Sequence, residues 1–189
     1  MKRFINTSGE HMRINFYGGP GSGKSTIAAW AFYELKIRNY SIEHVSEYVK
    51  SWVYYKRPVK FFDQVYLFAK QQQYEYRYLS NGVDHIVTDS PTFLAYFYAK
   101  HYGHDEITKP IYDLNKAYEH HYSCINIFLE RGEKLFQESG RYQTKDEAKD
   151  IDKQMKKDLM DFYGVDNVFF IPYLEKEKIL DYICERVKK

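Results

Sequence analysis

Gly18-Gly19-Pro20-Gly21-Ser22-Gly23-Lys24-Ser25-Thr26 has the spacing G-x-x-x-x-G-K-[ST], and these residue types at this spacing suit the wrapping of a polyphosphate. The glycines let successive backbone N–H groups turn inward around an anion, and the positive end of a following helix adds its dipole. Lys24 is the candidate to neutralise β- and γ-phosphates, and Ser25 to offer its hydroxyl to Mg²⁺. Asp89 ends the apolar run Ile86-Val87-Thr88. A carboxylate there can hold Mg²⁺ directly or through water, because ligands of open α/β sheets gather at the carboxyl ends of strands. Its other reading is a cap on the helix that starts near Pro91.

Such a loop works only between a strand and a helix, and the flanks supply both. Met12 to Tyr17 is apolar and ends at the glycines, as a short strand does. Ile27, Ala28, Ala31, Phe32 and Leu35 recur at helical spacing, predicting a helix from Gly23 to about Arg38. Strands are expected over Ile42 to Val45, His85 to Thr88, Cys124 to Leu129 and Val168 to Ile171. Between them the spacing predicts a helical or irregular stretch through Trp52, a long helix over Phe61 to Leu79, and helices over Thr92 to His101 and Lys109 to His121. Leu174 to Val187 reads as a terminal amphipathic helix. This alternation predicts an α/β three-layer sandwich, an about five-stranded parallel sheet with helices on both faces. Residues 1–11 read as a flexible extension and 12–189 as one domain.

Composition narrows the function classes. With 189 residues, 44% hydrophobic and 29% charged, the chain is a folded globular one and neither disordered nor low-complexity. Its 28 basic and 26 acidic side chains leave a formal charge of +2, so overall charge demands neither a nucleic acid nor a membrane. No apolar window reaches the roughly 18 residues of a membrane span, and the start carries no secretory signal. Cys124 and Cys184 lack metal-spaced neighbours, which argues against a zinc site or a disulfide framework and fits a reducing cytoplasm. Aromatic residues make up 19%, with 20 Tyr. Tyrosine serves equally in half-buried packing and as a stacking platform for bases.

The chain resembles the P-loop NTPases, on Gly18 to Thr26 and the β/α order that follows. The resemblance implies ATP as ligand and Mg²⁺ as its companion, but hydrolysis, phosphoryl transfer and switching all use this loop. Tyr66 to Arg77 is similar to the third helix of thymidylate and deoxynucleoside kinases, where Gln or Arg reads a base edge. That makes Gln72, Gln73 and Arg77 candidate acceptor-binding residues, with a solvated helix face as the other reading. Glu47, after the second strand, stands where deoxynucleoside kinases carry the glutamate that takes the acceptor's proton. Its other reading is a helix-start glutamate. The charged stretch from Glu130-Arg131 to residue 157 is like the lid of those kinases. In it Arg131 and Arg141, before Lys134, suit charge developing on a transferred phosphoryl group.

Asp89-Ser90-Pro91 stands where those kinases carry Asp-Arg or Glu-Arg-Ser, so neither named enzyme is matched. The pattern looks more like small bacteriophage kinases, some of which phosphorylate a hydroxymethylated pyrimidine in DNA. The expectation is a phosphotransferase with catalytic candidates Lys24, Glu47, Asp89, Arg131 and Arg141, acting on a nucleoside, nucleotide or related small acceptor. The host cytoplasm is its place if the chain is phage-encoded. Two alternatives remain: a kinase whose acceptor lies in DNA, suggested by Tyr54, Tyr55, Tyr74, Tyr76 and Tyr78 with Lys50, Lys56, Arg57 and Lys60, and a nucleotide-dependent switch ATPase. The tyrosine-bearing long helix suits an acceptor wall or a homodimer contact.

Overall fold

The structure, a computed structural model, describes residues 11–132 and 144–188. Strands β1 (Met12–Tyr17), β2 (Ile42–Val45), β3 (His85–Thr88), β4 (Ser123–Glu130) and β5 (Val168–Pro172) form one sheet in the order β2-β3-β1-β4-β5. All its pairings are parallel, with Ile14 opposite Val87 on one side and Ile125 on the other. β1 is central and buried from Arg13 to Tyr17, as expected of a parallel strand covered on both faces.

Helices α1 (Lys24–Ile37) and α7 (Lys176–Cys184) cover one face. There Ile27, Ala31 and Leu35 meet Ile14, Phe16, Ile179 and Ile183 in the main apolar cluster. The short α2 (Lys50–Tyr54), the long α3 (Asp63–Leu79), α4 (Phe93–His101), α5 (Asp105–Glu119) and α6 (Lys145–Tyr163) complete the elements. Phe93 and Phe97 of α4 pack with Ile151, Met155, Leu159 and Phe162 of α6 against Tyr17 and Phe128.

The helix expected from Lys109 begins at Asp105 and carries Pro110 inside it. Asp105 and Glu106 in its first turn favour that start through the helix dipole. Of the charged stretch expected as a lid over 130–157, residues 133–143 lie outside the described residues. From Lys145 on the stretch belongs to α6, opened by a capping box between Thr144 and Glu147 and buried through Ala148, Ile151 and Met155. Most of its charges lie on the outer face of a helix whose inner face is core, but Asp152 and Asp158 turn inward. Residues 1–10 of the expected extension lie outside the described residues.

One buried polar group was invisible to pattern reading. Arg13 of β1 is fully buried and pairs with Glu119 at 2.5 Å and Glu75 at 3.4 Å, with its guanidinium 4.4 Å from the Tyr118 ring centre. Tyr163 donates to Glu119 at 3.0 Å. Burial pushes the Glu75 carboxyl up to about 7 against the pull of Arg13, and it pushes the Cys124 thiol up as well.

Candidate active site

Because the strands run parallel, every residue that follows a strand lies at one edge of the sheet. Gly18 follows β1, Ser46 and Glu47 follow β2, Asp89 follows β3, Arg131 follows β4 and Tyr173 follows β5. Residues distant in sequence therefore converge there by topology alone.

The phosphate loop is formed. Gly23 has φ +92°, a left-handed conformation that turns the chain into α1 and that a side chain would strain. The first helical bond there is from the Ile27 amide to the Gly23 carbonyl, 3.0 Å. The amides of Lys24, Ser25 and Thr26 thus precede the helical ladder and face outward as anion donors. Lys24 Nζ arches back over the loop, 2.7 Å from the Gly18 carbonyl and 3.1 Å from that of Gly19. Ser22 Oγ is buried without a hydrogen-bond partner, while Ser25 and Thr26 are exposed.

The loop is tied to α6. One Asp152 oxygen accepts from the Gly19 amide; the other accepts from Arg131 Nε at 2.9 Å. Arg131 Nη2 donates to the Pro20 carbonyl at 2.8 Å, and Nη1 is buried without a partner. So Arg131 reaches the loop as expected of its place after β4, and a carboxylate on α6 fixes it. Sequence reading missed Asp152. Its signal was an acid among the apolar positions Ala148, Ile151 and Met155. Arg141 and Lys134 lie outside the described residues.

On the other flank, Glu47 and Tyr48 line a narrow cleft with Gln64 and Gln71 of α3 and Thr92 and Tyr98 at the start and middle of α4. Leu67, Phe68, Leu94 and Ala95 supply its apolar walls. Gln71 Nε2 donates to Thr88 Oγ1 at 3.2 Å, and Gln71 Oε1 is buried without a partner. Burial, reinforced by the charge of Glu47, pushes the Tyr98 phenol up, so it remains a neutral hydroxyl.

The acceptor candidates Gln72, Gln73 and Arg77 are not on that wall. Gln72 is half-buried, Gln73 is exposed and accepts from Lys70, and Arg77 is exposed and donates to Tyr78. The buried stripe of α3 is Gln64, Phe68, Gln71, Glu75 and Leu79. That spacing of four, three, four and four is one helix face, and Gln72 and Gln73 fall off it by one and two residues. The periodicity marks Gln71, rather than Gln72 or Gln73, as the glutamine of the run that faces the cleft.

The donor set fits a magnesium nucleotide. Asp89 is 4% exposed, and its Oδ1 is buried without a partner. No trio of His, Cys, Asp or Glu among the described residues could enclose a metal by itself. Mg²⁺ keeps waters and takes phosphate oxygens beside one or two protein oxygens, the kind of ligand Asp89 and Ser25 offer. Among the described residues no helix is long and apolar enough to cross a membrane.

Comparison with known proteins agrees with this geometry. The model of the family described as AAA domain matches residues 13–168. No curated protein matches the sequence. The solved structures it resembles include a NadR protein in complex with NR, at 11% identity and a TM-score of 0.73 over 95% of this chain. They also include deoxyadenosine kinase from M. mycoides with products dCMP and dCDP, at 17% identity and a TM-score of 0.57, covering 92% of this chain and 97% of that one. This chain covers 54% of the NadR chain, about half its length. The fold is thus the α/β P-loop fold that these nucleotide-binding proteins share.

Proposed function

This chain belongs to the AAA domain family of P-loop proteins, and from that membership we propose that it transfers a phosphoryl group from magnesium–ATP to the hydroxyl of a nucleoside-type acceptor. The observation that carries the choice of acceptor is the lining of the cleft beside the phosphate loop. It holds one carboxylate, Glu47, with buried amides and apolar walls, and no lysine or arginine among its described lining residues. A site for an acceptor's phosphate needs cationic donors, whereas amides and aromatic walls suit a base and sugar. Deoxyadenosine kinase, on the same fold, acts on such an acceptor.

In this reading the Gly18–Thr26 loop binds the triphosphate and Lys24 offsets its charge. Bound Mg²⁺ would supply charge neutralisation on the phosphates; Ser25 and Asp89 are the residues to hold it. Glu47 accepts the acceptor's proton as the hydroxyl oxygen bonds to the γ-phosphorus. The bond from that phosphorus to the β–γ bridging oxygen breaks and ADP leaves. Arg131, fixed by Asp152, faces the charge on the transferred group. Gln71 and Gln64 read the base. The cleft encloses about 50 Å³, below the roughly 300 Å³ of ordinary small-molecule sites. Binding a nucleoside therefore requires the cleft to widen.

Labelled ATP offered with nucleosides and, separately, with nucleoside monophosphates tests the proposal. Label on a nucleoside is expected. Label only on monophosphates overturns the acceptor assignment, and label released only as free phosphate favours a switch ATPase.

A further inference from the structure

Residues 50–62, KSWVYYKRPVKFF, contain four basic residues and no acidic one. They project three exposed rings: Tyr54 at 67%, Tyr55 at 83% and Phe62 at 68%. Large exposed aromatics grouped with cations mark an interaction surface. Among the described residues the side chains of Lys50, Lys56 and Lys60 have no acidic partner. Beneath them the Arg57 guanidinium lies 3.5 Å from the Trp52 ring centre, and Trp52 stacks on Tyr66 with an 18° interplanar angle.

This surface is continuous with the acceptor cleft. Tyr48 lines the cleft, packs on Trp52 and hydrogen-bonds the Tyr66 hydroxyl at 2.9 Å. The cleft wall is therefore the inner end of the aromatic cluster. Cations are absent from the cleft's described lining and gathered in the segment that follows its lining residue Val49.

We propose that residues 50–62 dock a single-stranded nucleic acid, with the backbone phosphates on Lys50, Lys56 and Lys60, bases against Tyr54 and Tyr55, and one nucleoside of the strand turned toward the cleft. Phosphates supply the charge complement, and exposed rings stack on bases of any sequence. An anionic membrane would also complement the charge, but an interfacial anchor lays down an amphipathic helix, and α2 has only five residues. The turning of one nucleoside toward the cleft rests on the reading of the cleft as a nucleoside site; the docking of the strand does not.

The test is the anisotropy of a labelled short oligothymidylate, read at low salt and at about 200 mM. The full chain is compared with the triple variant Lys50→Glu, Lys56→Glu, Lys60→Glu and the double variant Tyr54→Ala, Tyr55→Ala. Saturable, salt-sensitive binding is expected, weakened at least about tenfold in each variant, with thermal unfolding unchanged. No binding by the parent at low salt overturns the proposal. So does equal binding by the triple variant, or binding to phosphatidylserine vesicles without binding to the oligonucleotide. Transfer to a free nucleoside, measured on the same preparations, keeps the two readings apart. It should persist in the triple variant, and its absence from a parent that binds the oligonucleotide overturns the free-nucleoside acceptor and leaves the docking surface.

Discussion

Asp152 joins Arg131 to the phosphate loop: one carboxylate accepts from the Arg131 Nε at 2.9 Å and, through its other oxygen, from the amide of Gly19. Helix α6 thereby reaches the donor site without contributing a side chain to the sequence motif. The two partners are only 9% and 14% exposed, so removing one leaves a buried charge unpaired. Asp152→Ala should cost about 3 kcal/mol of stability, read as a lowered urea midpoint. An unchanged midpoint would mean that the contact is not held in solution.

Close approach of α6 also explains why position 19 is glycine. A Cβ there would stand 2.7 Å from Asp152 Oδ1 and 2.8 Å from the Ala148 carbonyl, and a backbone oxygen on a buried helix cannot retreat cheaply. Gly19→Ala should destabilise by about 1–3 kcal/mol and weaken ATP binding, measured by denaturation and by calorimetric titration. A variant as stable as the parent would contradict the packing described.

On the proposed mechanism Glu47 serves the chemistry and Gln71 the recognition of the acceptor. Glu47→Gln should lower kcat by roughly 10²–10⁴ with little change in KM for ATP, as loss of a general base does. Gln71→Leu should instead raise KM for the acceptor, by about tenfold or more, because an amide that reads polar groups becomes a hydrocarbon. Steady-state kinetics with each substrate varied checks both; a Glu47→Gln enzyme with parental kcat excludes that residue as the base.

The buried Arg13–Glu75 pair makes stability depend on pH. Burial raises the Glu75 carboxyl from its ordinary 4.5 to about 7 in the folded state, so the folded chain holds this proton more tightly than the unfolded one. The resulting stabilisation is complete below about pH 4.5 and is lost as pH rises through 7, by up to roughly 3 kcal/mol. Glu75→Gln should flatten that slope in denaturation measured at pH 5 and pH 8. Equal slopes in parent and variant would refute the assignment.

The sheet, its parallel order and the phosphate loop were legible because each rests on local signals: β-branched runs, glycine spacing and helical periodicity. Asp89 and Glu47 were legible as well, since a residue just past a parallel strand must lie at the shared edge. Asp152 and the Arg13–Glu75–Glu119 group were not. Pairing across 21 residues or more is set by how helices pack, and local pattern carries no record of it. Gln71 lies between these cases. The buried stripe through Gln64, Phe68 and Glu75 points to it, yet a run of three glutamines offers three choices and only the helix rotation selects one.

The measurement that most directly tests the donor site is calorimetric titration of magnesium–ATP into the parent and Lys24→Ala proteins. Lys24 caps the loop at 2.7 Å from the Gly18 carbonyl; with its ammonium on the terminal phosphates as proposed, its loss should weaken binding about a hundredfold, the roughly 3 kcal/mol at the upper end for a hydrogen bond to a charged group. Equal affinity in the two proteins would contradict the phosphate loop as the nucleotide site and remove the basis for phosphoryl transfer.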